Sequence, residues 1–285
     1  MSWASHSRIL RNIEIGFKCE NYEPLRIGAG RSKTPMSPVD LQVLKISLGE
    51  LTGIPYIPGS SLKGVFRATA EKLAISQGLN VCYMGEGCKN EYDKELQNVV
   101  KIGNEEAILG VLSKYCIICR LFGTASYSAH IKINDAYPSK EELPTTSVKT
   151  GIAIERRSGG VKKGALYQVE FVNPGGKFYG SFILNNFPNY GIGLLAEIIE
   201  QINQGYIKIG GFKTRGFGSV KITIESLKGR ILTNKGFLDI SQVTALGPLD
   251  ELDEEISIDP KIPKSLLENS RVVWNNYCNK SKIKK

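Results

Sequence analysis

Residues 9–20, ILRNIEIGFKCE, alternate apolar and polar positions: Ile13, Ile15, Phe17 and Cys19 against Glu14, Gly16, Lys18 and Glu20. A period of two predicts a strand with one buried face. The stretch RIGAGRSKTPMSPVD is rich in Gly, Ser and Pro and reads as a loop, LQVLKI predicts a short strand, and ELTG reads as a turn. In SSLKGVFRATAEKLAIS the period becomes helical, with Leu62, Val65, Phe66, Ala70 and Leu73 on one face and Lys63 and Arg67 one turn apart on another. Ser60 or Ser61 is placed to cap this helix through its hydroxyl. Gly64 weakens a helix relative to alanine, which predicts a close approach by backbone or ligand.

Residues 80–104 are polar and read as irregular, EEAILGVLSKY predicts a helix, and SAHIKINDA alternates as a strand. SVKTGIAIERRSGGVKKGA mixes basic residues with glycine and predicts a projecting loop or ribbon. LYQVEFVNPGGKFYGSFIL reads as a hairpin turning at NPGG, with Tyr167, Val169 and Phe171 before the turn and Phe178 and Phe182 after it. GIGLLAEIIEQINQG predicts a second helix that buries Leu194, Leu195, Ile198, Ile199 and Ile202 and stops at Gly205. YIKI and SVKITIE predict strands on either side of IGGFKTRGFGSVKI. Beyond Ser226 the pattern weakens: DELDEE reads as a solvated acidic run, SLLENSRVVWNNY as a terminal helix and KSKIKK as a frayed basic tail. The order of elements predicts an α+β chain with a ferredoxin-like sheet that carries insertions.

Charge sharpens this picture. The 285 residues hold 37 Lys plus Arg against 28 Asp plus Glu, a net +9, which favours an anionic partner. No apolar run approaches the ~20 residues of a membrane span, and MSWASHSRIL lacks the apolar core of a secretory signal. A cytoplasmic location is expected, where the six cysteines stay reduced.

Neither common nucleotide loop is present. GSSLKGVF has two glycines at phosphate-loop spacing but Val65 and Phe66 where Lys and Ser/Thr are required, and GAGRSK ends in Lys33 where a dinucleotide loop needs glycine. IGGFKTRGFGSVKI instead joins Gly210, Gly211, Gly216 and Gly218 to Lys213 and Arg215, with Phe212 and Phe217 between them. Such a loop suits a single-stranded polyanion: bare backbone lets a phosphate approach, cations attract it, and Phe212 or Phe217 offers a ring to a base. The same residues also suit a glycine-rich bulge whose phenylalanines enter the core.

Cys116 and Cys119 form a CxxC, with Cys82 and Cys88 a looser pair upstream. Four thiolates can close a tetrahedral structural zinc site. Buried free cysteine, as expected for Cys19, is the alternative, and a redox CxxC is disfavoured because CIIC follows a helix. His130 is a candidate replacement ligand or a hydrogen-bonded strand residue.

Taken in order, IPGSSLKGVFRATAEKL, CIICRLFG, IERRSGGVKKGALYQVEFVNPGGKF and IGGFKTRGFGSVKI resemble the RAMP superfamily of CRISPR-associated proteins, and within it the backbone subunits of type III effector complexes. The resemblance covers about residues 9–225. It implies an RRM-like palm over 1–225, with a zinc-containing finger inserted at about 78–125 and a thumb at about 145–165; residues 226–285 form a C-terminal extension without an assigned role. It further implies head-to-tail copies, of this chain or of paralogs, stacked along CRISPR RNA among other subunits. Guide contacts would come from Ser60, Ser61, Lys63 and Arg67 at a helix N-terminus, from Gly210, Gly211, Lys213, Arg215 and Phe217 in the glycine-rich loop, and from Arg156 and Arg157 in the thumb.

In catalytic members of that family an aspartate after the first strand cleaves paired target RNA, and Asp40 in SPVDLQVLKI stands at the equivalent place. Its carboxylate would accept the 2′-OH proton or hold a divalent cation such as magnesium against the phosphate. Its structural alternative is a turn aspartate capping the next strand. Asp135 in INDAYP reads as structural. Three functions follow: an endoribonuclease subunit cutting target RNA, a non-catalytic subunit that coats and orders guide RNA, and a CRISPR RNA processing nuclease. The last would rely on histidine, and only His6 and His130 exist.

Overall fold

The computed structural model describes residues 2–28, 39–82, 88, 90–162, 164–234 and 236–283. Most of the Gly/Ser/Pro loop, at 29–38, and residues 83–87 and 89 lie outside the described residues, as do Lys284 and Lys285 of the tail.

The strand predicted around Ile13 is β1 (Arg11–Asn21), and its alternation places Ile13, Ile15, Phe17 and Cys19 in the core. The ladder β2 (Lys45–Leu48) and β3 (Leu51–Pro55) follows, with the turn at Gly49 and Glu50 rather than across ELTG. Helix α1 (Gly59–Ser76) comes next. Its cap is Pro58, not a serine; the first N–H, of Gly59, is taken by Asp135 Oδ1 at 2.8 Å. Glycine is needed there because a Cβ would strike the carbonyl of Ile133. Residues 80–104, read as irregular, contain α2 (Asn90–Ile102). Its apolar stripe is narrow, Tyr92, Leu96 and Val99, so charged neighbours mask the period, yet Leu96 is only 2% exposed. Helices α3 (Glu105–Leu112), capped by Asn104, and α4 (Ile117–Phe122) follow α2 before the chain returns to the sheet.

Strand β4 (Ile131–Ile133) leads to the ribbon β5 (Thr146–Gly151) and β6 (Tyr167–Val172), followed by β7 (Lys177–Asn185). The expected hairpin across NPGG does not form: β6 pairs with β5, while β7 pairs with β1 and β4. The end of β1 intervenes, since Asn21 exchanges backbone hydrogen bonds with Gly175 and Gly176 at the turn. Helix α5 (Asn189–Asn203) follows, and Gly205 terminates it in the left-handed region as expected. YIKI is not a strand; of the two strands expected around the glycine-rich loop only the second forms, as β8 (Val220–Thr233).

The central sheet has the order β4-β7-β1-β8, extended at one edge by β9 (Gly236–Asp239). That order, with α1 and α5 against one face, is the ferredoxin-like arrangement of an α+β chain. Phe17, Phe66 and Phe182 meet between sheet and helix.

A boundary at 225/226 falls inside β8. The chain beyond it, with the short pair β10 (Ala245–Leu246) and β11 (Ile256–Ser257) and the helix α6 (Ser265–Ile283), lies along α5. DELDEE is not a solvated run throughout. Asp253 is buried and accepts from the Asn189, Tyr190 and Leu249 N–H groups at 2.9–3.1 Å, capping α5 in place of Pro188. Asp250 accepts from Trp3 Nε1 at 2.8 Å and Tyr190 Oη at 3.0 Å. Two carboxylates thus tie the C-terminal segment to both the N-terminus and α5. Among the described residues no helix is long and apolar enough to cross a membrane.

A chain ending at residue 225 loses the second half of β8, both carboxylate clamps and the α6 cover of α5. It is expected to show no cooperative thermal transition by circular dichroism, whereas the full chain shows one; a sharp transition in the truncated chain would contradict this packing.

Candidate nucleic-acid interface and metal centre

Helix α1 has two polar stripes, and they face different neighbours. Ser61, Gly64, Val65, Ala68 and Lys72 follow one another at spacings of one, three or four residues along one side. Val65, Ala68, Thr69 and Lys72 line a groove of about 360 Å³ whose other wall is Gly205, Tyr206, Ile207, Lys208, Lys213 and Thr214. Lys208 is paired with Glu23 at 2.7 Å. Lys213 has its pKa pushed down by burial and then by the charge of Lys72, so the groove concentrates positive charge that lacks a carboxylate partner among the described residues. Tyr206, on the rim, is 73% exposed. Lys72 and Tyr206 escaped the sequence reading, although Lys72 continues the Ser61–Gly64–Ala68 stripe. Gly64 is exposed, and among the described residues no other segment comes near the place of a Cβ.

Lys63 and Arg67 lie on the other stripe. Arg67 was expected to reach a phosphate, but its guanidinium is engaged within the chain. It donates to Glu71 Oε1 at 3.1 Å, the Gly123 carbonyl at 2.7 Å and Cys119 Sγ at 3.4 Å. Burial, then the charge of Arg67, lowers the Lys63 pKa. Ser60 and Ser61 stand exposed in the first turn of α1.

The glycine-rich loop closes over the backbone of Arg26. Gly210 has φ 78° and sits against the Arg26 carbonyl, which accepts from Gly211 N–H at 2.8 Å; Gly218 N–H donates to Pro24 O at 3.0 Å. Gly211 and Gly218 therefore spend their N–H groups inside the chain, and side chains carry the loop's charge. Phe217, expected to meet RNA, is only 5% exposed and packs edge-on against Phe171; here the bulge reading of the motif applies. Phe212 is partly exposed, but the Arg26 and Arg215 guanidinium groups lie 5.6 and 5.5 Å from its ring centre. Arg26 was not foreseen; its signal in the sequence is the pair Gly210 and Gly211, whose missing side chains leave it room.

Arg215 Nη1 donates to Tyr167 Oη at 2.8 Å, and Asp40 Oδ2 accepts from the N–H of the next residue, Gln168, at 2.7 Å. The start of β6 thereby gathers the loop and the exposed Asp40, from distant parts of the sequence. Arg156 and Arg157 are exposed at the tip of the ribbon, whose Val148, Ile152, Ile154, Val161 and Leu166 are also exposed.

The opposite face of the sheet carries a cleft of about 800 Å³ floored by Gly16, Ser181 and Ser226 and walled in part by Glu14, Asp135 and Glu225. Its acids repel phosphate, so charge distinguishes the two concave surfaces. Asp135 is structural, as expected: besides capping α1 it accepts from Tyr137 Oη at 2.9 Å.

Cys82, Cys88, Cys116 and Cys119 place their sulfurs within 4.8 Å of one another. The Cys82–Cys88 and Cys82–Cys119 separations of 3.4 and 4.0 Å bracket the ~3.8 Å edge of a tetrahedron with metal–sulfur bonds of ~2.3 Å. These donors fit a metal ion. Cys116 does open a helix, as the N-cap of α4, so position alone does not exclude redox chemistry for CIIC; the two further sulfurs favour metal. Hydrogen bonds from Cys119 and Cys88 push Cys116 toward thiolate. Cys19 is a buried free thiol, raised to about 12 by burial. His130 belongs to no metal cluster among the described residues. It is fully buried, pushed down to about 4 by burial first and His6 second, with Nδ1 2.7 Å from the Asn185 carbonyl and Nε2 2.6 Å from Tyr127 Oη. His6 stacks on it at 4.0 Å.

The model of the RAMP superfamily matches residues 18–221. The chain is 26% identical over 210 residues to the CRISPR system Cms endoribonuclease Csm3 of Methanocaldococcus jannaschii, covering 69% of this chain and 73% of the relative. It is 27% identical over 221 residues to the protein of the same name from Enterococcus italicus, covering 75% and 91% respectively. A 104-residue stretch is 29% identical to the CRISPR system Cmr endoribonuclease Cmr4 of Pyrococcus furiosus, covering 36% and 33%.

Elemental analysis of the purified chain is expected to find one transition-metal equivalent, lost in the Cys116→Ser/Cys119→Ser variant. In the native chain a thiol reagent should modify the four clustered cysteines only after chelation; immediate modification, or no metal, would remove the centre.

Proposed function

The chain belongs to the RAMP superfamily, and from that premise we propose that it is a CRISPR RNA-binding backbone subunit of a type III effector complex that cuts guide-paired target RNA. The observation that carries this reading is the groove between α1 and the glycine-rich loop, where Lys72 and Lys213 stand exposed without a carboxylate partner among the described residues. A guide phosphate pairs with them, the hydroxyls of Ser60 and Ser61 and the first turn of α1 offer it donors, and Gly64 leaves room for the sugar–phosphate chain. Tyr206 provides a ring for a base in place of Phe217. Arg156 and Arg157 carry charge to the tip of the thumb. The exposed apolar ribbon behind them suits a neighbouring copy or paralog in a head-to-tail stack on the same RNA. The metal of the four-cysteine centre is zinc, held as a closed structural site that staples the finger. An assembly of this kind works in the cytoplasm.

For cleavage, Asp40 is the candidate base. Its Oδ2 is held by Gln168 N–H, so Oδ1 accepts the proton as the target 2′-oxygen attacks the adjacent phosphorus. A new O2′–P bond forms and the P–O5′ bond breaks, and the leaving 5′-oxygen takes a proton from water, which gives a cyclic phosphate and a 5′-hydroxyl. Arg215, held on the neighbouring Tyr167, is placed to offset the charge growing on the phosphoryl oxygens. Alternatively Asp40 would hold a divalent cation such as magnesium, which would supply Lewis-acid stabilisation. The bond from Gln168 also suits a purely structural aspartate, which favours the non-catalytic coat protein as the second reading. A processing nuclease built on histidine has the weakest support, because His130 is buried and doubly engaged.

In the assembled complex, Asp40→Ala is expected to slow target cleavage by about 10²–10⁴-fold while guide affinity and thermal stability hold; unchanged cutting leaves the coat protein. Replacing Lys72 and Lys213 together by alanine should flatten the plot of log affinity against log salt by about 0.7 for each phosphate no longer neutralised. The same double replacement at Lys264 and Lys280 should leave that slope in place, and equal slopes for all variants would remove the groove.

A further inference from the structure

Arg67 sits where the two halves of the candidate site meet. Its stripe on α1 faces the finger, while the Ser61–Lys72 stripe of the same helix forms a wall of the groove. Its three contacts divide into one within α1, to Glu71, and two at α4: the sulfur of Cys119 and the carbonyl of Gly123, which follows the last residue of α4. Glu71 is only 5% exposed, so Arg67 also neutralises a buried acid. Among the described residues no other cationic side chain donates to a sulfur of the cluster.

Four thiolates around a divalent metal carry a net charge of −2, and a guanidinium donating to one sulfur offsets part of it. The bond is mutual in effect: metal binding makes Cys119 a charged acceptor, which tightens the tie and fixes the rotation of α1 about its own axis. Rotation sets whether Gly64, Ala68 and Lys72 face Lys213. A planar, forked donor can hold sulfur and carbonyl at once, whereas lysine reaches only one.

We infer that Arg67 is a positioning residue through which the metal centre holds α1 against the glycine-rich loop, so that metal occupancy governs affinity for single-stranded RNA. The inference rests on the metal-centre and groove readings above. It departs from the sequence expectation that Arg67 itself binds phosphate, and the two make opposite claims about salt.

The test uses the full chain and a single-stranded RNA oligomer in four forms: native, Arg67→Lys, Arg67→Ala, and native stripped by a chelator. Metal content, the rate of metal release and the salt dependence of RNA binding are measured on each. Arg67→Ala should release metal with an affinity lowered about 10–100-fold and bind RNA about 5–150-fold more weakly, at an unchanged salt slope. Arg67→Lys should resemble the alanine variant. Stripping the native chain should weaken RNA binding to the same degree, and stripping Arg67→Ala should add little. A salt slope lowered by about 0.7 in Arg67→Ala, with metal retained, would make Arg67 a phosphate ligand and overturn the inference. RNA affinity indifferent to stripping would overturn it too, and needs no variant to fold. Failure of the groove itself shows separately, as RNA binding untouched by the Lys72/Lys213 replacement.

Discussion

Helix α1 can turn only one stripe toward the glycine-rich loop: Leu62, Phe66 and Ala70 face the core, and three contacts pin the helix at its rim. Asp135 holds its first N–H, the missing side chain of Gly59 lets the helix start against the carbonyl of Ile133, and Arg67 binds its far side to α4. With those fixed, Ser61, Gly64 and Lys72 face outward as a unit, and Lys72 and Lys213 line one groove. Two exposed cations on one groove attract an anion to it.

The sheet supports this arrangement from below. Phe17, Phe66 and Phe182 lock α1 to β1 and β7, and α5 is held by α6 and by the two carboxylates of Asp250 and Asp253. The C-terminal residues are thus part of the packing behind the sheet. A cation sits in the same region: Arg11 is buried, donates to the Phe187 and Gly247 carbonyls, and is pushed down to about 10 by burial despite Asp253 nearby. Charges this deep survive because each has partners.

Where a periodic signal coincided with burial, the sequence was legible. The alternation of β1 and the helical stripe of α5 named their core residues correctly, and that of α1 did so for Leu62, Phe66 and Ala70, whereas Val65 lines the groove and Leu73 is only partly buried; together they carried the ferredoxin-like class. Legibility failed where pairing depends on a remote strand: nothing local in LYQVEFVNPGGKFYGSFIL reveals that Asn21 takes the turn and sends β6 to β5. It failed for α2 because only Tyr92, Leu96 and Val99 of its five apolar positions face the core, while the exposed Val100 and Ile102 blur the period. At the site, the cysteine spacing foretold the cluster, since like residues with one chemistry leave few alternatives. Lys63 and Arg67 were singled out because charge is visible in sequence, whereas the neighbour each stripe faces is not. Phe217 was ambiguous for the same reason: a phenylalanine beside glycine suits a base or a core equally well.

Everything functional requires RNA to lie in the groove between α1 and the glycine-rich loop, not on the open sheet face. Photo-crosslinking with a 4-thiouridine oligomer, read by mass spectrometry, tests this directly. Crosslinks on Tyr206, on Lys213 to Arg215 and on the first turns of α1 are predicted. Crosslinks gathered instead on Tyr137, Tyr179 and their neighbours across the acidic cleft would contradict it.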